Sequence, residues 1–199
     1  DLEKPFNRIS DLRIFNIKNN TSKALNFGIS SNIAIHKDFT VIGRNTQDPA
    51  RWKRYRGGTA GELWIDYNRN SFSKLINLKG NLACPLIINE RIYFISDHDG
   101  IANIYSCSKT GKLLVKHTNH KNYYVRNASS DKYKIIYHCG ARLFILDTKS
   151  NKVNELNINY SNSNIDSGRK FSCSTKYLEH ATLSNKGQFL NIITRGKLF

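Results

Sequence analysis

Three short runs of one form begin 40 residues apart: Leu63-Trp64-Ile65-Asp66, Asn103-Ile104-Tyr105-Ser106 and Leu143-Phe144-Ile145-Leu146. Each follows a second apolar run, at Val41-Ile42, Ile92 to Ile95 and Ile135 to Tyr137. Weaker first runs lie around Ala83 to Ile88 and Tyr123 to Asn127. Polar turns and short fourth runs come after, at Lys74 to Ile76, Lys112 to Lys116 and Lys152 to Leu156. All are rich in β-branched and aromatic residues, with Gly, Asn, Asp and Ser between them, and no amphipathic helix of useful length is present. A unit of about forty residues with four short antiparallel strands is a β-propeller blade. Leu12-Arg13-Ile14-Phe15 is an earlier copy, set further upstream because the next unit carries a long basic insertion.

The expected class is therefore all-β, built of blades of four antiparallel strands. The repeat places the later blades of one ring in residues 1–160. Asn157 to Ser174 is dominated by Asn, Ser, Asp and Gly, which predicts a linker or long loop over 161–176. Leu183 to Ile193 restarts the strand, turn, strand pattern, so 177–199 reads as the first strands of a second propeller. Too few units are present to close a ring, and open edge strands invite aggregation. Met is absent even from position 1. A processed or partial chain is the expectation.

The net charge of +16 over 199 residues is large. Such a balance attracts nucleic acid, anionic membrane or acidic peptide, and it also favours solubility. Much of the excess is Lys at turns (Lys18, Lys23, Lys109, Lys112, Lys149, Lys152), which fits a solvated surface. No segment approaches the ~20 apolar residues that cross a bilayer, and no signal-peptide pattern is present. A soluble, cytoplasmic protein without a membrane partner is expected. Cys84, Cys107, Cys139 and Cys173 form no C-x-x-C pair, so buried free thiols are expected rather than zinc ligands.

The insertion is the chief candidate site. Arg44 to Trp64 carries Arg44, Arg51, Lys53, Arg54 and Arg56 together with Trp52, Tyr55 and Gly57-Gly58. Arg offers a planar fork to carboxylates, so Arg51, Lys53, Arg54 and Arg56 are candidate substrate-steering residues. The bland reading is a folded connection in which Gly57-Gly58 turns the chain, Trp52 and Tyr55 pack, and the cations stay solvated or pair with acids. Asp97-His98-Asp99-Gly100 reads as a hairpin turn and not as a metal site. His36, His117, His120, His138 and His180 fall at unrelated places in the repeat, and no Ser lies in G-x-S-x-G. No catalytic residue, metal or cofactor is expected on this chain. The tyrosines, including Tyr67, Tyr93, Tyr105, Tyr123, Tyr124, Tyr133 and Tyr137, read as blade packing.

VIGRNTQDPARWKRYRGGTAGELWI (Val41 to Ile65), RIYFISDHDGIANIYS (Arg91 to Ser106), GKLLVKHT (Gly111 to Thr118), NYYVRN (Asn122 to Asn127) and LSNKGQFLNIITRGKLF (Leu183 to Phe199) together resemble the tricorn protease family. The resemblance covers most of the chain from about Asn32. It implies the later blades of a six-bladed propeller and the start of a seven-bladed one, in a self-compartmentalising serine peptidase that degrades oligopeptides. It further implies oligopeptide substrates, a homo-hexamer, and propellers that guide peptides to or from the chamber. The family's Ser and His catalytic residues match nothing here, and its paired arginines match no adjacent pair. Two other readings stand beside this one: a non-catalytic propeller scaffold for protein interaction, and a basic nucleic-acid-binding module, which only the charge favours.

Overall fold

Antiparallel sheets occupy the positions at which the repeat predicts blades. The structure is a computed structural model that describes residues 12–68, 71–159, 161 and 174–199. These fall into two compact units, Asp1–Asn157 and Ile158–Phe199. The first opens with the hairpin β1 (Arg13–Asn16) and β2 (Thr21–Ala24). Three four-stranded sheets follow. The first holds β3 (Asn32–Ile35), β4 (Thr40–Arg44), β5 (Glu62–Asp66) and β6 (Ser73–Lys74). The second holds β7 (Leu82–Ile88), β8 (Arg91–Ser96), β9 (Asn103–Cys107) and β10 (Val115–Lys116). The third holds β11 (Val125–Asp131), β12 (Lys134–Cys139), β13 (Arg142–Asp147) and β14 (Lys152–Leu156). Each sheet runs in sequence order, as a propeller blade does.

Side-chain alternation on the middle strands explains the stacking of blades. In β8, Ile92 and Phe94 point to one face, where they join Val41, Leu63, Ile65 and Leu75 of the first blade. Tyr93 and Ile95 point to the other and join Val125, Ile135, Tyr137 and Leu146 of the third. Strand β9 divides likewise, with Tyr105 and Cys107 on the first face and Ile104 on the second. A strand buried on both faces reads as a continuous apolar run, which is what Ile92 to Ile95 shows. Backbone bonds repeat the same join. The first residue of an inner strand donates to the residue just ahead of the previous blade's third strand, Leu82 N–H to Gly61 O at 3.1 Å and Val125 N–H to Ala102 O at 3.0 Å. A Cβ on Gly61 would come within 2.1 Å of the Leu82 carbonyl oxygen, so this approach requires glycine.

The inner strands share a bulge. Register shifts between Ala83 and Leu86 in β7 and between Arg126 and Ser129 in β11, with Cys84 and Asn127 both at φ 49°. Pro85 falls at the first of these, where a ladder donor is not required. Two strand expectations are corrected. Strand β11 covers Val125–Asp131 rather than Tyr123 to Asn127, because its polar end, Ser129 to Asp131, pairs with Ile136, Ile135 and Lys134 of β12. The fourth strands of the first two blades are two residues each, Ser73–Lys74 and Val115–Lys116. Tyr93, Tyr105, Tyr124 and Tyr137 are buried as expected, whereas Tyr67, Tyr123 and Tyr133 are exposed at the surface. Cys107 and Cys139 are buried free thiols and Cys84 is half-buried. Burial pushes the Cys107 thiol up to about 11.

In the second unit, the helical turn α1 (Ser174–Tyr177) leads into β15 (Leu178–Leu183), β16 (Leu190–Thr194) and β17 (Lys197–Leu198). The β15–β16 hairpin is the restart that Leu183 to Ile193 predicts. The Ser184 hydroxyl accepts the amides of Gln188 and Phe189 in its turn, at 3.1 Å each. Most of the stretch 161–176, and Cys173 with it, lies outside the described residues. Among the described residues no helix is long and apolar enough to cross a membrane.

Candidate functional site

The basic insertion is the β4–β5 connection, and it is a strap across three blades. It lies on the face that carries the turns between second and third strands and the blade-to-blade connections. Asp48 starts it by accepting the Ala50 amide at 3.0 Å, while its carbonyl accepts Arg51 N–H at 3.0 Å. The same carboxylate pairs with Arg126 of the third blade's inner strand, whose Nε lies 2.6 Å from Oδ2. Ala50 packs against the cluster between the second and third blades. Further along, the amide of Arg54 donates to Asp97 Oδ2 at 2.7 Å, and Lys53 Nζ lies 5.6 Å from the centre of the Tyr124 ring. The strap turns back at Gly57, where a Cβ would come within 2.1 Å of the Tyr55 hydroxyl.

Asp97 is the anchor. It is 1% exposed, and both oxygens accept: Oδ1 from the Asn81 amide at 2.7 Å, Oδ2 from Arg54 N–H and from Asn81 Nδ2 at 3.2 Å. Asn81 in turn donates to the Trp52 carbonyl at 2.9 Å. A charged acceptor saturated by donors makes the stronger class of hydrogen bond. In the sequence Asp97 is legible only as a turn residue, a role it also fills by accepting Gly100 N–H at 3.1 Å.

The four candidate cations share the strap's exposed surface without converging on one point. Arg51 donates to Gln47 Oε1 at 3.2 Å and lines a cavity of about 300 Å³ with Asn45, Gln47, Trp52, Tyr55 and Asn81. Arg56 lines a separate cavity of about 170 Å³ with Lys74 and Lys79. Lys53 and Arg54 lie over the second and third blades. Trp52 is 60% exposed and touches Tyr55 at 5.1 Å between ring centres. The aromatic pair therefore packs on itself, not into a core. Arg44 is set apart from the other cations, its guanidinium 4.3 Å over the Trp64 ring.

Two further constellations escaped the sequence. Ser106 Oγ lies 2.7 Å from His117 Nε2, and His117 Nδ1 lies 2.6 Å from Asn151 Oδ1. An amide oxygen only accepts, so Nδ1 carries the proton and Nε2 accepts the Ser106 hydroxyl. The order is that of a nucleophile, base and orienting group. However, Ser106 is fully buried in mid-strand, and its oxygen already accepts Arg91 Nε at 2.9 Å. It ties blade to blade and reaches no substrate. Burial holds His117 below its ordinary value, as it does His120, which bonds the Tyr137 hydroxyl at 3.0 Å. The second constellation is His36, Asp38 and Glu90, whose ligand atoms lie within 4.8 Å of one another. Lys37 and Lys109 stand 4.0 and 3.9 Å from its two carboxylates and compete for them. His98 and Asp99 occupy the turn expected of them, with Asp99 bound by Tyr105 at 2.5 Å and Lys116 at 2.8 Å.

Residues 2–152 match the family model of the tricorn protease N-terminal beta propeller domain. The chain belongs to that family. Among curated relatives, the tricorn protease homolog of Saccharolobus solfataricus is 38% identical over 200 aligned positions, which cover 100% of this chain and 18% of the relative. The tricorn protease of Thermoplasma acidophilum is 35% identical over 175 positions, 88% of this chain and 16% of that protein. A crystal structure of tricorn protease superposes with a TM-score of 0.80 at 31% identity, covering 98% of this chain and 19% of that one. The chain thus spans less than a fifth of the length of these relatives. TolB from Acinetobacter baumannii, at TM-score 0.57 and 13% identity, shares the fold alone. Within this tricorn-type propeller the long β4–β5 strap is the feature that departs most from a plain blade hairpin.

Proposed function

We propose that this chain is the propeller segment of a tricorn-like, self-compartmentalising serine peptidase that degrades oligopeptides, and that its strap steers peptides toward or away from the catalytic chamber. The observation that carries this reading is the strap itself. Bonds to Asp97 and Arg126 hold it, and Arg51, Lys53, Arg54 and Arg56 all stand exposed along it. Exposed cations along a ligand's path raise the local concentration of anionic ligands, an effect that salt screens. Oligopeptides carry a carboxylate at every free C-terminus. The family assignment supports a peptidase whose catalytic Ser and His lie elsewhere in the protein, assembled as a homo-hexamer in the cytoplasm. We further infer that residues 1–160 are later blades of a six-bladed propeller, that 161–176 link them onward, and that 177–199 open a seven-bladed one.

The test replaces Arg51, Lys53, Arg54 and Arg56 with Gln in the complete peptidase and compares acidic with uncharged oligopeptides. Steering predicts that kcat/KM for acidic peptides falls roughly tenfold at low salt, that the deficit shrinks as salt rises, and that uncharged peptides are unaffected. Unchanged turnover of acidic peptides at low salt would remove the steering role and leave a scaffold.

A further inference from the structure

The cavity inside the strap has the chemistry of a peptide main-chain site. Asn45, Gln47 and Asn81 bring three carboxamides to a space of about 300 Å³, beside the rings of Trp52 and Tyr55 and the guanidinium of Arg51; Thr59 and Asp48, whose carboxylate is taken by the Ala50 amide and Arg126, complete the lining. The volume falls at the lower end of the range for small-ligand pockets. Much of this hydrogen-bonding capacity is unused. The Asn45 side-chain amide makes no hydrogen bond among the described residues. Gln47 uses only Oε1, toward Arg51, and Asn81 uses only Nδ2, toward Trp52 and Asp97. Each group that remains is one half of what a peptide bond offers: amide N–H donors on Asn45 and Gln47, carbonyl acceptors on Asn45 and Asn81. Trp52 adds a large apolar surface that the protein leaves 60% exposed.

We propose that this cavity binds an extended oligopeptide segment through its main-chain amides, with an apolar or aromatic side chain laid on Trp52 and Tyr55. The site reads the peptide backbone and one hydrophobic residue rather than a charge. Arg51 is the one strap cation that reaches it, and a free or acidic carboxylate adds to affinity there without being required. This rests on the reading of the chain as part of a peptide conduit and supplies the contact that long-range steering lacks, because steering raises encounter rates and does not hold a ligand.

The measurement is made on the complete protein, where the emission of Trp52 is isolated as the part of the signal that Trp52→Phe removes. The probe is a six-residue peptide, acetylated and amidated so that it carries no charge, with one central Phe or Leu; an all-Gly peptide of equal length is the comparison. The expected result is a saturable change in Trp52 emission with the Phe or Leu peptide, insensitive to salt and several-fold weaker with the Gly peptide. Asn45→Gly, which keeps the backbone at φ 55° comfortable, and Gln47→Ala should each weaken binding about five- to tenfold with the melting temperature unchanged. No emission change with capped peptides, while acidic peptides still bind in a salt-dependent way, would overturn the subsite and leave steering intact. Binding of capped peptides that ignores both Asn45→Gly and Gln47→Ala would overturn it as well.

Discussion

The carboxylate of Asp97 holds the backbone amide of Arg54 at 2.7 Å across 43 residues of chain. One is in the second blade's β8–β9 turn, the other in the middle of an insertion from the first blade. The bond therefore fixes a long loop that would otherwise cost conformational freedom to place. Asp97→Ala strands the amides of Arg54 and Asn81 and frees the strap at its centre. We expect a loss of roughly 2–3 kcal/mol in denaturant unfolding. Trypsin should also cut at Arg51, Lys53, Arg54 or Arg56 in the variant well before it cuts the parent chain. Equal cleavage rates would show that the strap is held without Asp97.

The blades were legible because their signal is local and periodic. Ile92 to Ile95 is apolar throughout because both faces of β8 are buried against neighbouring blades, and the same repeat recovers β5, β9 and β13. The end of β11 was not legible: Ser129, Ser130 and Asp131 pair with an apolar strand and bring no hydrophobic pattern of their own. The strap's cations were visible as a cluster, but its anchors were not. Asp48 meets Arg126 over a separation of 78 residues, which no spacing rule encodes. The Ser106, His117 and Asn151 chain was hidden for the same reason, since β9–β10 pairing brings Ser106 to His117 and the stacking of the third blade brings Asn151.

Ile95 is fully buried between the second and third blades, in the cluster with Ile104, Val125 and Tyr137. Ile95→Ala leaves a cavity that strands hydrogen-bonded on both sides cannot close by collapsing. A loss of roughly 2–5 kcal/mol is expected in chemical denaturation. A cost below about 1 kcal/mol would contradict the tight packing of that interface, since even Ile→Val deletions in cores reach that size.

Burial lowers the pKa of His98, His117 and His120 in the folded chain, so these rings resist protonation there. The unfolded chain takes up those protons near the ordinary value of about 6.5. Below that pH the unfolded state binds more protons than the folded one, so stability falls as pH drops and is fully present above it. Urea midpoints measured from pH 7.5 down to 5.5 should decline accordingly. His117→Gln, which gives up the charge while keeping an amide to bond Ser106 and Asn151, should flatten part of that decline. A profile as steep as the parent's would place the titration elsewhere.

Ser106 has the partners of an activated hydroxyl without the access. It is enclosed in β9, accepts Arg91, and donates to a His held neutral by its surroundings. Phosphonofluoridate reagents should therefore leave the chain unlabelled at Ser106. Ser106→Ala should cost about 1–3 kcal/mol of stability, from the unpaired Arg91 and His117 groups, and change no hydrolytic rate. Stoichiometric labelling of Ser106 would reverse this assignment.

The charge of +16 poses the sharpest alternative for the strap, because polyanions bind any strongly basic surface. The strap spreads its cations: Arg51 faces one cavity, Arg56 another, and Lys53 lies 5.6 Å from the centre of the Tyr124 ring, so they do not share one cavity. We therefore expect weak, sequence-blind binding to duplex DNA whose affinity falls steeply with salt, the slope being about 0.9 per neutralised phosphate. Replacing Arg51, Lys53, Arg54 and Arg56 with Gln should reduce that slope and affinity no more than replacing Lys18, Lys112 and Lys149, which lie outside the strands, together with Lys152 at the start of β14. The comparison is made by fluorescence anisotropy across a salt series with both quadruple variants. Tight binding lost only with the strap variant would make this surface a nucleic-acid site, and the propeller assignment, which rests on the blades and not on the charge, would stand unchanged.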